Sequence, residues 1–496
     1  MLNLSIPTRP NMPTVQDENR AQESAIRRRM LEGTWKKDLL NVMSEHLNPG
    51  RMDSWGPPDL STNLLETITR ELSKLYHETP TVSHNEADIT ALTGRDGLLQ
   101  PLWPLMQRAQ QSILALREGF IRCDYIPAGE IDKQASIQYR LVTPDYVYCE
   151  SNPSAPDIPT LYQEYRIRVY QKKGVDGATK PDPEIIWTVD IFDLRNMKKP
   201  SFKICRVDDS GKIGEDLTKY YLGVASLKGE KYPYRYSDGF PFMPIVMYHA
   251  EATGKLWNSY DKKSLTAGAM QTAMLGSYWL HICKSASYEQ RYIAGLTLQG
   301  LNQLEADQPA RRAEIATDPS SILVFQQDPD AMQGQPLIGS FSPSVDPNSF
   351  LQAIHSYEKK IASSFSISAS LLRESGDPRS GYSIAISKDG QRQAQRIQAP
   401  IFRIYDSKLC NIVAAMANRF MGLNLPEDNK YRVAYAPIPL SGQESKEQRE
   451  SILSLTQAGL MSPIQAYQIL NPDTDEQQAE IALEKIRRER SKYQLI

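Results

Sequence analysis

Apolar residues recur at helical spacing in three stretches before residue 120. "AIRRRMLEGTWKKDLLNVM" predicts a helix over 21–47, and "NPGRMDSWGPPD" breaks it. "STNLLETITRELSKLYH" opens with Ser and Thr and carries Glu66 soon after, which predicts an N-capped amphipathic helix over 61–78. "PLWPLMQRAQQSILALREG" predicts another over 101–119. Residues 1–20 are polar and Pro-rich and are expected to form an arm without fixed structure.

The period then changes. Between about 120 and 250, "SIQYRLVTPDYVYCE", "TLYQEYRIRVYQK", "EIIWTVDIFDL", "SFKICRVDD" and "FPFMPIVMYH" alternate aromatic or branched residues with polar ones. That alternation predicts half-buried antiparallel strands, with "KKGVDGATKPDPE" as a turn between two of them. Helical spacing returns at 260–290, an Ala-, Met- and Leu-rich stretch with small residues at Ala267, Gly268, Ala269 and Gly276. An irregular β and loop segment follows over 291–345. Asp346 with Pro347 just inside then marks the start of a third central helix. A Gly/Pro/Ser loop spans 373–382, and a long helical stretch runs from Ser383 to Met421, with an interruption expected near Pro400. The charged tail, 443–492, reads as helical. The order of elements predicts an α+β chain, and no repeat of 20–50 residues is visible.

Composition narrows the classes. The 496 residues carry 57 Lys and Arg against 59 Asp and Glu, a formal net charge of -2. No global basic field exists, so any contact with nucleic acid must come from a local stripe. The five cysteines, Cys123, Cys149, Cys205, Cys283 and Cys410, include no CxxC pair, which argues against a zinc site or a disulfide framework and for a reducing compartment. The N-terminal residues lack a secretory signal pattern, and no apolar run approaches the ~20 residues of a membrane span. A soluble intracellular product without membrane association is expected.

Catalytic motifs are missing. There is no G-x-x-x-x-G-K-[ST], no G-x-S-x-G and no H-E-x-x-H. His46, His77, His84, His249, His281 and His355 lie far apart without ligand spacing, and read as packed or surface residues. Asp208/Asp209 and Glu427/Asp428 are adjacent loop carboxylates, which are ordinarily just solvated. No catalytic residue, metal ligand or cofactor is assigned, and the chain is not expected to be an enzyme.

One pattern does suggest a partner. Lys388, Arg392 and Arg396 are spaced i, i+4, i+8, along one helix face, and Arg403 and Lys408 continue the basic bias. Asp389 and Asp406 are the only acids between 383 and 409. The preceding loop adds Arg373, Arg379 and Ser380, with Gly376 and Gly381 for conformational freedom. Such cations contact phosphates without reading sequence. An ordinary solvated helix face has the same pattern.

Three stretches carry a resemblance. "SYEKKIASSFSISASLLRESGDPRSGYSIAISKDGQRQAQRIQAPIFRIYDSKL" looks like the passage where a stem helix of the portal proteins of tailed double-stranded DNA bacteriophages ends and a Ser/Gly loop leads into a long helix; "FSISASLL" lacks the Pro usual there. "SILSLTQAGLMSPIQAYQILNPDTDEQQAEIALEKIRRE" is similar to that family's C-terminal pattern, and "LYHETPTV" to an early phrase of it. The resemblance covers most of the chain from about residue 60 onward.

The resemblance implies the portal fold. A flexible N-terminal arm at 1–20 is followed by a β-rich wing at 21–261, a two-helix stem at 262–288 and 346–370, and a clip insertion at 289–345 between the stem helices. A tunnel loop at 371–384, a tunnel helix and wing return at 385–439, and a helical crown at 440–496 complete it. It implies a ring-forming homo-oligomer of about twelve copies around a channel for double-stranded DNA. Arg373, Arg379, Ser380, Gly381, Lys388, Arg392 and Arg396 would face that DNA, and Ala267, Gly268 and Gly276 would let stem helices approach, unless they merely pack one subunit's core. The implied partners are the large terminase subunit, the head–tail adaptor or neck protein, and the major capsid and scaffolding proteins. The implied location is the virion, at the capsid vertex or neck, and the host cytoplasm during assembly. The competing readings are a DNA-processing nuclease of the packaging machinery and another neck or minor head component.

Overall fold

Residues 15–46, 58–85, 87–128, 134–170, 183–221, 230–258, 263–286, 290–294, 322–325, 337–341, 346–365, 381–438, 442–470 and 476–493 are described by the structure, a computed structural model. The described residues form a mixed α+β fold. The chain divides into two units. The first comprises Met1–Phe365 and Gln395–Ala436, the second Ser366–Ala394 and Pro437–Ile496.

In the first unit, the helix expected over 21–47 is two helices, α1 (Val15–Leu31) and α2 (Lys36–His46). Gly33, at φ +70°, takes the left-handed conformation that closes α1. α1 also begins inside the expected arm. Arg20 is buried there, donates to the carbonyls of Pro144 and Val147 at 2.7 and 2.6 Å, and lies 3.6 Å from the centre of the Trp257 ring. That docking orders residues whose composition alone predicts an arm. Among the described residues the next helix is α3 (Leu64–Leu72), and its cap is Asn63, whose side chain accepts from the Glu66 N–H. α4 (Leu102–Leu116) ends earlier than expected, because Arg117 is left-handed at φ 75° and Glu118 already belongs to a strand.

The described strands of this unit form four sheets. β1 (Thr81–Ser83) pairs with β13 (Arg432–Ala434). β2 (Glu118–Ile126) lies between β3 (Ser136–Val142) and β9 (Ile245–His249), antiparallel to both. The third is a five-stranded antiparallel meander of β4 (Val147–Asn152), β5 (Ala155–Tyr170), β6 (Glu184–Asp193), β7 (Ser201–Val207) and β8 (Ile213–Asp216). The alternating stretches thus become strands as expected; the expected turn at 172–184 lies largely outside the described residues. α4 packs on the β2 sheet, and Met106, Ile113, Phe120, Tyr162, Phe192, Tyr248 and Phe402 share one core. Burial of that apolar surface is the main stabilising term.

The central helices are α5 (Lys263–Ala286) and α6 (Pro347–Ser364), which pack on each other. Asp346 caps α6 by accepting from the N–H groups of Asn348 and Ser349, with Pro347 in the first turn as expected. Between them in sequence, β10 (Gln290–Ala294) pairs parallel with β11 (Ile322–Phe325) and antiparallel with β12 (Leu337–Phe341), forming the fourth sheet.

The helix α7 (Gly381–Met416) runs through Pro400 instead of breaking there. Proline removes one backbone hydrogen bond from the helix. Phe402, Leu409, Cys410 and Val413 are buried in the core beyond it, and Gln398 is buried before it, so packing holds both sides. The expected loop at 371–384 is likewise helical from Gly381; its residues 371–380 lie outside the described ones. In the second unit, α9 (Pro463–Leu470) packs on both α8 (Gly442–Gln457) and α10 (Glu476–Tyr493).

Candidate nucleic-acid interface

The basic residues of α7 divide between the two units. Lys388 and Arg392 belong to the second unit and Arg396 to the first. Arg392 is half-buried and Arg396 is exposed. Arg373, Arg379 and Ser380 lie outside the described residues, as does the side chain of Lys388; Gly381 is the first residue of α7.

Within the first unit, the surface of α7 is more basic than its composition suggests. Of the two acids between 383 and 409, Asp389 is exposed, but Asp406 is buried. The exposed charges from 396 to 408 are therefore Arg396, Arg403 and Lys408. Arg396 and Arg403 are seven residues apart, two turns along one side of the helix. Arg403 is held from behind, since its Nε donates to the Val433 carbonyl at 3.0 Å. The Lys408 ammonium lies 5.9 Å from the centre of the Tyr405 ring.

Asp406 fixes this part of α7. Its carboxylate accepts from the hydroxyls of Tyr76 at 2.8 Å, Tyr248 at 2.8 Å and Tyr435 at 2.7 Å. Burial pushes its pKa up to about 6, while the three phenol hydrogen bonds pull it the other way. Gln395 adds a bond to the Ala436 carbonyl at 2.8 Å, and Gln398 accepts from Gln110 at 2.7 Å. Sequence spacing gives no sign of this anchor, because its donors sit 330, 158 and 29 residues away.

The small residues of α5 serve different contacts. A Cβ on Gly268 would meet Cδ1 of Ile361 at 2.7 Å, so this glycine lets α6 approach. A Cβ on Gly276 would meet the Asp59 carboxylate at 2.9 Å instead, beside the bond from the Asp59 N–H to Ser277 Oγ at 2.8 Å. Ala267 is exposed. Trp279 Nε1 donates to the Pro347 carbonyl at 3.1 Å, a second tie between α5 and α6.

A charged cluster that sequence reading missed joins two sheets. Arg122 of β2 donates to Glu164 of β5 at 2.8 Å and to Asp190 of β6 at 2.7 Å. Arg140 of β3 also pairs with Glu164, and Arg168 with Asp190. Burial opposes ionisation of Asp190, but Arg122, Arg168 and Arg166 outweigh it and hold the carboxyl well below the usual range. Every charge in the cluster has an opposite neighbour, which makes it a tie between sheets. Among the described residues no group of three His, Cys, Asp or Glu could hold a metal ion, and no helix is long and apolar enough to cross a membrane.

No family model matches the chain. No curated protein matches it either. Among solved structures the chain is similar to a chain of the neck of an empty GTA particle, computed with C6 symmetry. The two are 13% identical, the match covers 82% of this chain and 88% of that one, and the TM-score is 0.40.

Proposed function

We propose that this chain is the subunit of a portal: a closed ring at one capsid vertex through which double-stranded DNA enters during packaging and leaves at ejection. The large terminase subunit docks on the ring during packaging and the neck or adaptor protein afterwards. The major capsid and scaffolding proteins surround it during assembly, and the ring stays in the virion.

The observation that carries this reading is the order of elements from 263 to 416. Two helices packed on each other, α5 and α6, enclose in sequence a small sheet, and a long basic helix, α7, follows. In this reading α5 and α6 are the stem, the β10–β12 sheet belongs to the clip, and the start of α7 and the residues before it form the tunnel. The five-stranded meander belongs to the wing, and α8 to α10 form the crown. A modest stripe on one subunit is multiplied by symmetry around the channel. A near-neutral chain suits this task, since each neutralised phosphate adds salt-dependent affinity that would hold DNA back.

The subunit needs no reaction of its own. Incubated with duplex DNA, magnesium and ATP, the purified chain is expected to leave both DNA and ATP intact. Metal-dependent DNA cleavage would overturn the portal reading in favour of a packaging nuclease.

A further inference from the structure

The first unit carries two exposed patches of opposite charge. On α7, Ile397 and Ile404 are 60% and 57% exposed, seven residues apart and so on one side of the helix. Lys408 is exposed one turn beyond Ile404 on the same side, while Arg403 shares the side of Arg396. The only carboxylate of this part of the helix, Asp406, is buried and engaged with its tyrosines. The second patch is the β7–β8 hairpin. All four residues of the edge strand β8 are exposed, and Ile213 is 39% exposed. From 208 to 216, Asp208, Asp209, Glu215 and Asp216 are exposed against the single cation Lys212. Ile213 and Glu215 lie on one face of β8, since strand side chains alternate. In its cross-strand row Ile213 is separated from Ile167, which is 44% exposed, by Val207 and Trp187, which are buried.

We infer that the Ile397/Ile404 face of α7 docks on the acidic β7–β8 edge of a second copy of this chain. Both patches are exposed in one copy, so they are not joined to each other there. An apolar pair with Lys408 beside it fits an apolar edge residue flanked by carboxylates, and the reverse pairings of like patches bring like charges together. Two different patches joined head to tail generate a closed ring or an open helix, never an isologous dimer. The seam deepens the portal reading and rests on it, because it supplies the repeated contact of the ring. It leaves Arg396 on a neighbouring side of α7, one residue and so about 100° from Ile397.

The test is native mass spectrometry with sedimentation velocity on the full chain. Ile404→Glu and Ile213→Glu alter exposed positions, so each variant is expected to keep the wild-type circular dichroism and melting temperature. Each alone is expected to stay at the 56.1 kDa monomer mass at concentrations where the wild type assembles. Mixed together they retain one intact patch each, and are expected to form a heterodimer and nothing larger. Lys408→Glu and Glu215→Lys are each expected to raise the concentration needed for assembly by about tenfold, and the double variant to restore it. A wild type that forms rings while all variants assemble at the same concentration overturns the seam and leaves the portal reading standing. A wild type that remains monomeric at every concentration overturns both.

Discussion

The Arg122 guanidinium of β2 lies 2.7 Å from the Asp190 carboxylate of β6, and the same Nη1 lies 2.8 Å from Glu164 of β5. All three residues are buried. One arginine therefore joins the three-stranded and five-stranded sheets at a point where neither carboxylate reaches bulk water. Removing one partner of such a cluster leaves buried charge behind. Arg122→Met is expected to destabilise the fold by about 3–5 kcal/mol. Urea denaturation followed by tryptophan fluorescence measures it, and a loss as small as that of an exposed pair would show that the cluster does not join the sheets.

Gly268 provides a second test, in the helix pair. A Cβ there meets the flexible end of Ile361, so Gly268→Ala gains helix propensity of about 1 kcal/mol against a small displacement and is expected to be near neutral. Gly268→Leu has no such escape and is expected to cost about 1–3 kcal/mol through overpacking between α5 and α6. Thermal unfolding of both variants separates the two effects. Equal melting temperatures would mean that the α5–α6 contact does not need a glycine.

Asp406 makes stability depend on pH in a definite direction. Its pKa is raised from 3.8 in the unfolded chain to about 6 in the fold. The folded state thus holds the proton more tightly, and this stabilisation is complete below pH 3.8 and lost as pH rises through 6. The loss amounts to about 3 kcal/mol, from ~1.4 kcal/mol per tenfold change in proton affinity. Asp406→Asn lacks the titrating group. Between pH 4 and pH 8 it is expected to gain on the wild type by that amount in denaturation free energy. Parallel curves for the two proteins would remove Asp406 from the pH dependence.

The legible parts of this fold are those decided locally. Asp346 and Pro347 start α6 because a cap and a fixed φ act within one turn. The alternating stretches became β3 to β7 because the pleat alone dictates that period. Features decided by distant residues were hidden. α7 passes through Pro400 because Phe402 and Leu409 are buried in a core built from other segments. Arg20 is ordered because the carbonyls of Pro144 and Val147 are 124 and 127 residues away in sequence but adjacent in space. In the candidate interface, spacing indicated the basic residues. It could not indicate that Asp406 leaves the surface, or that Arg403 is braced by Val433. The glycines of α5 were visible as small residues, but their neighbours, Ile361 and Asp59, were not.

Charge reversal tests the proposal that the Arg396 side of α7 faces DNA. Arg396→Glu is expected to weaken non-specific duplex binding equally for unrelated sequences. It should also make the log–log salt dependence shallower by about 0.9 for each phosphate that is no longer neutralised. Fluorescence anisotropy across a salt series measures the slope. An unchanged slope would place Arg396 away from the DNA.

The central claim is a ring, and native mass combined with negative-stain imaging of the purified chain addresses it most directly. The portal account predicts closed rings of about a dozen 56.1 kDa subunits, with a central hole wide enough for a DNA duplex. A population of monomers or isologous dimers at all concentrations would contradict it.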